Sequence, residues 1–261
     1  MRPSPVIGIV FLLFASGCLS AVGYLTGYHL VAPPLTLKKP NFTQYEDVDE
    51  KKRAFFQFLA PMIQDQNKRI LATRARVQAI QSEWQETAAL SSRSQYFLEM
   101  MQQTYQLQEE DLATEALINR LLRRVDIVPV PLALAQAASE SGWGTSRFAQ
   151  SANNFFGQWC YQEGCGIVPK RRADGAQHEV ADFSNVRESI NAYFLNLNTY
   201  HAYKEFRAQR ERVRQNGQQP RAADLIPTLL NYSERREAYL ADLHQIIRGN
   251  RLSRFTQRED S

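Results

Sequence analysis

The stretch Ala135-Gln136-Ala137-Ala138-Ser139-Glu140-Ser141-Gly142-Trp143-Gly144-Thr145-Ser146-Arg147-Phe148 decides how this chain folds. It opens as a helix, because Leu132, Leu134, Ala135, Ala137 and Ala138 are good helix formers with almost no polar bulk. A helix this smooth can be packed on every side, which puts it at the centre of a domain. Glu140 arrives at its C-terminal end. Two glycines around a tryptophan then stop the helix and let the backbone turn tightly. A carboxyl group at the mouth of a core helix, beside apolar and aromatic surface, is desolvated. Desolvation raises its pKa, as a general acid working near neutral pH requires. The plain alternative is a helix that ends at Gly142 and leaves Glu140 in water.

Working outward, Ile127-Val128-Pro129-Val130-Pro131 is a stiff lead-in, since proline suits a helix start. Further upstream, from about Glu50, Phe55, Phe56, Phe58, Leu59, Met62, Ile63, Ile70, Leu71, Val77 and Ile80 recur at helical spacing as far as Trp84. Arg69, Arg74 and Arg76 are expected on the solvated side of that helix. Two more helices are expected over about 92–107 and 112–125. Downstream, the pair Asn153-Asn154 can fix a turn through bonds to the backbone. Residues 158–184 read as the only β-rich part, with strands over 166–168 and 178–183 and a turn at Ala173-Asp174-Gly175. Lys170, Arg171 and Arg172 lie near its tip. Ser184 to Glu188 has the pattern of a capped helix start, with Glu188 more suited to capping than to catalysis. A charged surface helix over 205–215 and a last apolar helix over 220–232 complete the chain. The expected fold is α+β, mainly α: a helical domain with a small β-hairpin lobe, and a cleft between the two suited to a polymer.

The core Glu140-Ser-Gly-Trp-Gly-Thr-Ser146, followed by Asn153-Asn154-Phe155-Phe156-Gly157, resembles the signature of the glucosaminidase-domain proteins of glycoside hydrolase family 73. Within that family the chain is most similar to the Bax-type group. The resemblance runs from about Lys51 to near the C-terminus and takes in Arg124-Val125-Asp126-Ile127 and Asn196-Leu197-Asn198-Thr199. It implies a lysozyme-like fold and a peptidoglycan hydrolase, an endo-β-N-acetylglucosaminidase that cleaves the β-1,4 bond between N-acetylglucosamine and N-acetylmuramic acid. Glu140 matches the proton donor. The family's second acidic residue lies in the β lobe, where Glu179 is the best positional candidate and Asp182 the next. The alternative is assistance by the substrate's own acetamido oxygen. Trp143, Asn154, Phe156 and Tyr232 are the candidate substrate-binding residues, Tyr232 through the likeness of Asn231-Tyr232-Ser233 and Tyr239 to a tyrosine-containing segment near the family's active site. Two other readings compete: a lytic transglycosylase, which needs one Glu and leaves an anhydro sugar, and a wall-binding protein without catalysis.

Composition and the N-terminus narrow the partners. The net charge of +4 comes from 31 basic and 27 acidic residues that are interleaved, which gives little reason to expect nucleic-acid binding. No metal cluster, phosphate loop or nucleotide fingerprint stands in the sequence, and no cofactor is expected. Between Arg2 and Lys38 there is no Lys, Arg, Asp or Glu, and Val6 to Ala32 is long enough to span a bilayer. It reads as an uncleaved signal anchor, a cleaved signal peptide, or a lipoprotein site at Ala15-Ser16-Gly17-Cys18, each of which implies export to the periplasmic side of the envelope. The expected layout is a signal or anchor over 1–32, a linker over 33–49, a helical extension over 50–126 and the glucosaminidase domain over 127–255. Cys160 and Cys165 bracket Tyr-Gln-Glu-Gly, a spacing that suits a staple across a small hairpin. Zinc would want four ligands, and only His178 lies near. A disulfide in an oxidising compartment is therefore expected.

Overall fold

The computed structural model describes residues 38–108, 110–169, 178–230 and 232–256. The apolar N-terminal segment with Cys18, the basic tip at Lys170, Arg171 and Arg172, and the turn at Ala173-Asp174-Gly175 lie outside the described residues. Among those described, no helix is long and apolar enough to cross a membrane.

From Lys39 onward the chain gathers into one unit. Its order is α1 (Val48–Thr87), α2 (Ser92–Thr104), α3 (Thr114–Arg124), α4 (Val130–Ser141), the short α5 (Arg147–Ser151), β1 (Trp159–Cys160), β2 (Gly166–Ile167), β3 (Glu179–Ala181), α6 (Val186–Thr199), α7 (Lys204–Gln215), the short α8 (Ala222–Leu225) and α9 (Glu237–Gly249). Helices dominate and one small antiparallel sheet stands apart, so the class is α+β and mainly α. The sheet runs β1-β3-β2, with Cys160 opposite Glu179 and Gly166 opposite Ala181.

Helix α4 is the axis of the fold. Every residue from Val130 to Ala138 is buried, and α1, α9 and the 3-10 turn Leu252–Phe255 pack around it. Proline starts it because the missing N–H would have had no partner there. Helix α1 begins where the Asp47 side chain accepts the Glu50 N–H at 2.7 Å. Its 40 residues reach roughly 60 Å at 1.5 Å per residue. The N-terminal half inserts Phe55 and Phe56 into an aromatic cluster with Phe42, Trp143 and Phe155.

Four features depart from the sequence reading. The apolar segment over 220–232 is only the one-turn α8 and a 3-10 turn, Ile226–Leu229, and the last helix is α9. A third strand, β1, pairs with β3. Arg74, expected in water, is half-buried and donates to the carbonyls of Leu122 and Val125. Helix α7, expected on the surface, buries Arg207 and Arg210.

The buried arginines have a common cause. Helix α3 ends at Arg124, where its last carbonyls run out of helical donors, and Arg210 donates to the carbonyls of Arg123 and Arg124 and, just beyond the helix, of Asp126 and Ile127, at 2.9–3.3 Å. Asp126 lies in the same junction, 2% exposed. It binds Arg214 through both oxygens at 2.8 and 3.1 Å and lies 3.7 Å from Arg74 and from Arg210. Burial alone would raise the Asp126 pKa. The surrounding guanidiniums overcome it and hold the carboxyl below its usual range. This knot joins α1, α3 and α7 just ahead of α4.

Candidate active site

The end of α4 separates two neighbouring side chains. Gly142, Trp143 and Gly144 all take left-handed backbone angles, with φ of 55, 59 and 75°. The Gly144 N–H donates to the Ser141 hydroxyl at 2.8 Å, and that hydroxyl donates to the Ala137 carbonyl at 2.6 Å. The turn throws Trp143 back onto α1, edge-on to Phe55 and Phe56 at 5.8 and 5.4 Å. Glu140 faces the other way, into a cleft of about 550 Å³ bounded by α6 and the chain leading into the β lobe. Gly157 (φ 64°) passes beside the carboxyl. A Cβ at that position would lie 3.5 Å from Oε2, in a conformation that side-chain-bearing residues rarely adopt.

A directed chain of hydrogen bonds ends on this carboxyl. The Tyr193 hydroxyl donates to Oε1 of Gln136 at 2.6 Å, which leaves Nε2 of Gln136 to donate to the Tyr239 hydroxyl oxygen at 3.0 Å. Tyr239 thereby keeps its own hydrogen available to the neighbouring Glu140 carboxyl, whose pKa it lowers. Gln136, Tyr193 and Tyr239 are at most 2% exposed. Gln136 precedes Glu140 by one helical turn on the same face of α4. The rings are fixed by one another: Tyr239 stacks on Tyr232 at 5.6 Å, Tyr232 meets Tyr203 at 5.8 Å, and Tyr193 stacks on Phe156 at 4.0 Å.

Burial pushes the Glu140 pKa up. The Tyr239 bond and the Arg235 charge pull it down, and burial wins. The phenols around it stay neutral at any working pH, since burial raises Tyr203 to about 12 and Tyr193 and Tyr239 too. Arg235 is tied to Asp242 at 2.6 Å.

The structure brings Glu140, Phe156 and Tyr232 together in one cleft, with the Tyr232 hydroxyl 3.4 Å from the Phe156 carbonyl. It places the other four candidates elsewhere. Trp143 borders a separate pocket beside Lys52. Asn154 is 2% exposed and its amide is fully engaged: Nδ2 donates to the carbonyls of Gln158 and Ala181, and Oδ1 accepts the Gln158 N–H. Glu179 is buried in β3. Its two oxygens accept the N–H groups of Gly164 and Gly166 at 3.2 and 2.8 Å. Asp182 is exposed and does not line the cleft. Cys160 and Cys165 form the expected disulfide. Their sulfurs lie within 4.8 Å of Glu179, but sulfurs bonded to each other are not thiolates and offer no metal site.

Gln136 and Tyr193 were not among the sequence candidates, and Tyr239 entered only with Tyr232, through the tyrosine-containing segment of the family resemblance. One signal was available: Gln136 is the lone amide in an otherwise apolar helix, one turn before Glu140. Tyr239 belongs to a helical pattern of Tyr239, Leu240, Leu243, Ile246 and Ile247.

Comparison with known proteins gives the family. Residues 115–252 match the Glucosaminidase family, described as mannosyl-glycoprotein endo-beta-N-acetylglucosaminidase. The chain is 34% identical over 200 residues to Protein bax of Escherichia coli (strain K12), covering 77% of this chain and 70% of that protein. No solved structure matches. The matched residues include Glu140, Tyr232 and Tyr239, and the chain belongs to the glucosaminidase-domain family of glycosidases, as a Bax-type protein.

Proposed function

We propose that the protein is a peptidoglycan hydrolase, an endo-β-N-acetylglucosaminidase that cleaves the β-1,4 bond between N-acetylglucosamine and N-acetylmuramic acid. Glu140 is the acid. The observation that carries this reading is its setting: a carboxyl held among neutral phenols, raised in pKa by burial, and oriented by the Gln136–Tyr239 bonds. Such a group holds its proton to higher pH than a solvated carboxyl does and can give it to the leaving glycosidic oxygen.

Among the described residues that line the cleft, Glu140 is the only carboxylate. Glu179, with both oxygens on backbone N–H groups, is a fastener of the β lobe in this proposal. The second role goes to the substrate. Its acetamido oxygen bonds to the anomeric carbon as the C–O bond breaks and Glu140 protonates the leaving oxygen. Water then opens the cyclic intermediate, and its proton returns to Glu140. The substrate class implies an extracytoplasmic site of action. Export by the N-terminal apolar segment fits that reading.

A cleft with a single carboxylate also suits a lytic transglycosylase, and product mass separates the two. Purified peptidoglycan treated with the protein should yield fragments with reducing N-acetylglucosamine ends. Anhydro-muramic ends would establish the transglycosylase instead. Glu140→Gln should lower turnover by about 10²–10⁴-fold. Turnover near that of the parent would remove Glu140 from the chemistry.

A further inference from the structure

Four aromatic residues are strongly exposed among those described: Tyr96, Trp159, Tyr161 and Tyr200. Three of them, Trp159, Tyr161 and Tyr200, line the Glu140 cleft. Single exposed apolar residues need no account, but a group at the rim of one cleft does. Trp159 is 56% exposed although one face of its indole lies flat on His178 at 4.2 Å, and Tyr161 is 72% exposed.

Both residues flank Cys160. Strand β1 is only two residues long and could not hold two large rings in place alone. Two fasteners do so. The Cys160–Cys165 disulfide closes the loop, and Glu179, paired opposite Cys160, binds the N–H groups of Gly164 and Gly166 within that loop's far side. The opposite bank is a run of tyrosine contacts from the rim inward, Tyr200 to Tyr203 to Tyr232 to Tyr239, which ends at Glu140.

We propose that Trp159 and Tyr161 form a sugar-stacking platform for a β-1,4-linked N-acetylhexosamine chain. Tyr200 faces the chain from the other bank, and the disulfide and Glu179 serve to hold the platform. The C–H face of a pyranose is apolar and faintly positive, and it complements the negative face of an aromatic ring. A chain gripped in this way lies across the cleft with one linkage beside Glu140. The inference rests on the glycosidase reading of the cleft and adds which residues hold the polymer.

The test is binding of soluble β-1,4-linked N-acetylglucosamine oligomers to the full chain carrying Glu140→Gln, read by calorimetry and tryptophan emission. Trp159→Ala and Tyr161→Ala should each weaken binding about tenfold. Trp159→Ala should also abolish the emission change, and Trp159→Phe should retain most of the affinity. The paired Cys160→Ser and Cys165→Ser change should weaken binding to a similar degree, and Tyr96→Ala should have no effect. Folded Trp159→Ala and Tyr161→Ala proteins that bind within about twofold of the parent would overturn the platform. Absence of oligomer binding by the parent would do the same. Binding that needs Trp159, in a protein whose intact Glu140 form cleaves no glycan, would retain the platform and remove the hydrolase reading.

Discussion

Asp126 and Glu140 are two carboxylates on either side of the same core helix, and their surroundings push them in opposite directions. Asp126 is enclosed by Arg74, Arg210 and Arg214, and its pKa falls below the ordinary 3.8. Glu140 is enclosed by neutral phenols with only the tethered Arg235 nearby, and its pKa rises above the ordinary 4.5. Asp126 is buried, and Glu140 is half-buried at its cleft. The neighbours decide whether burial yields a fixed anion that ties helices together or an acid with a raised pKa. A buried carboxylate is thus a question about the groups that face it, more than about its depth.

The largest effect should come from breaking the arginine knot. Asp126→Asn leaves the fully buried Arg210 without its anion, and loss of one partner of a buried pair costs about 3–5 kcal/mol. Thermal denaturation should show Tm lower by roughly 10 °C. The contribution has a pH signature. A carboxyl whose folded pKa is depressed stabilises fully above its unfolded value, about 3.9, and less as pH falls through the folded value. The gap between parent and Asp126→Asn should therefore close only in strong acid. A gap that closes near neutral pH would mean that Asp126 is not the fixed anion of this account.

Tyr239→Phe sharpens the other side. It removes the donor that orients Glu140, and kcat/KM on peptidoglycan should fall about tenfold, the worth of one hydrogen bond to a charged group. That bond also lowers the Glu140 pKa, so its loss raises it. An acid works while protonated, and the alkaline limb of the pH–rate profile should move to higher pH in Tyr239→Phe. A limb that stays in place would separate Tyr239 from the acid.

The smallest effect has an unusual sign. A carboxyl with a raised folded pKa makes the fold less stable as pH rises from its unfolded value, about 4.3, through the folded value, and leaves it so above. Glu140→Gln removes that penalty. Its Tm should exceed the parent's at neutral pH, on the order of 2 °C, and the gain should vanish in acid where Glu140 is protonated in both states. An activity-abolishing substitution that stabilises is the mark of a site selected against stability.

Much of this was legible in the sequence, for local reasons. The smooth helix, its glycine stop, the acid at its end and the short cysteine loop are each written in adjacent residues, and the structure has each of them. What was not legible depends on partners distant in the chain. Trp143 is next to the site in sequence, yet three successive left-handed residues turn it onto α1. Arg207 and Arg210 read as solvated because burial of a cation is decided by the carbonyls it meets at helix ends, here those of Leu197, Tyr200 and the α3 terminus. The resemblance puts Tyr239 near the site, but that its hydroxyl accepts from Gln136 depends on two helices far apart in the chain.

The most direct test is a single titration of carbon-13-labelled side-chain carboxyls followed by NMR, with Asp126→Asn and Glu140→Gln used to assign the two signals. The account predicts that the Glu140 carboxyl titrates above 4.5 and that Asp126 titrates below 3.8 in the same folded sample. A Glu140 signal that titrates at or below 4.5 would contradict the claim that this cleft raises the acid's pKa.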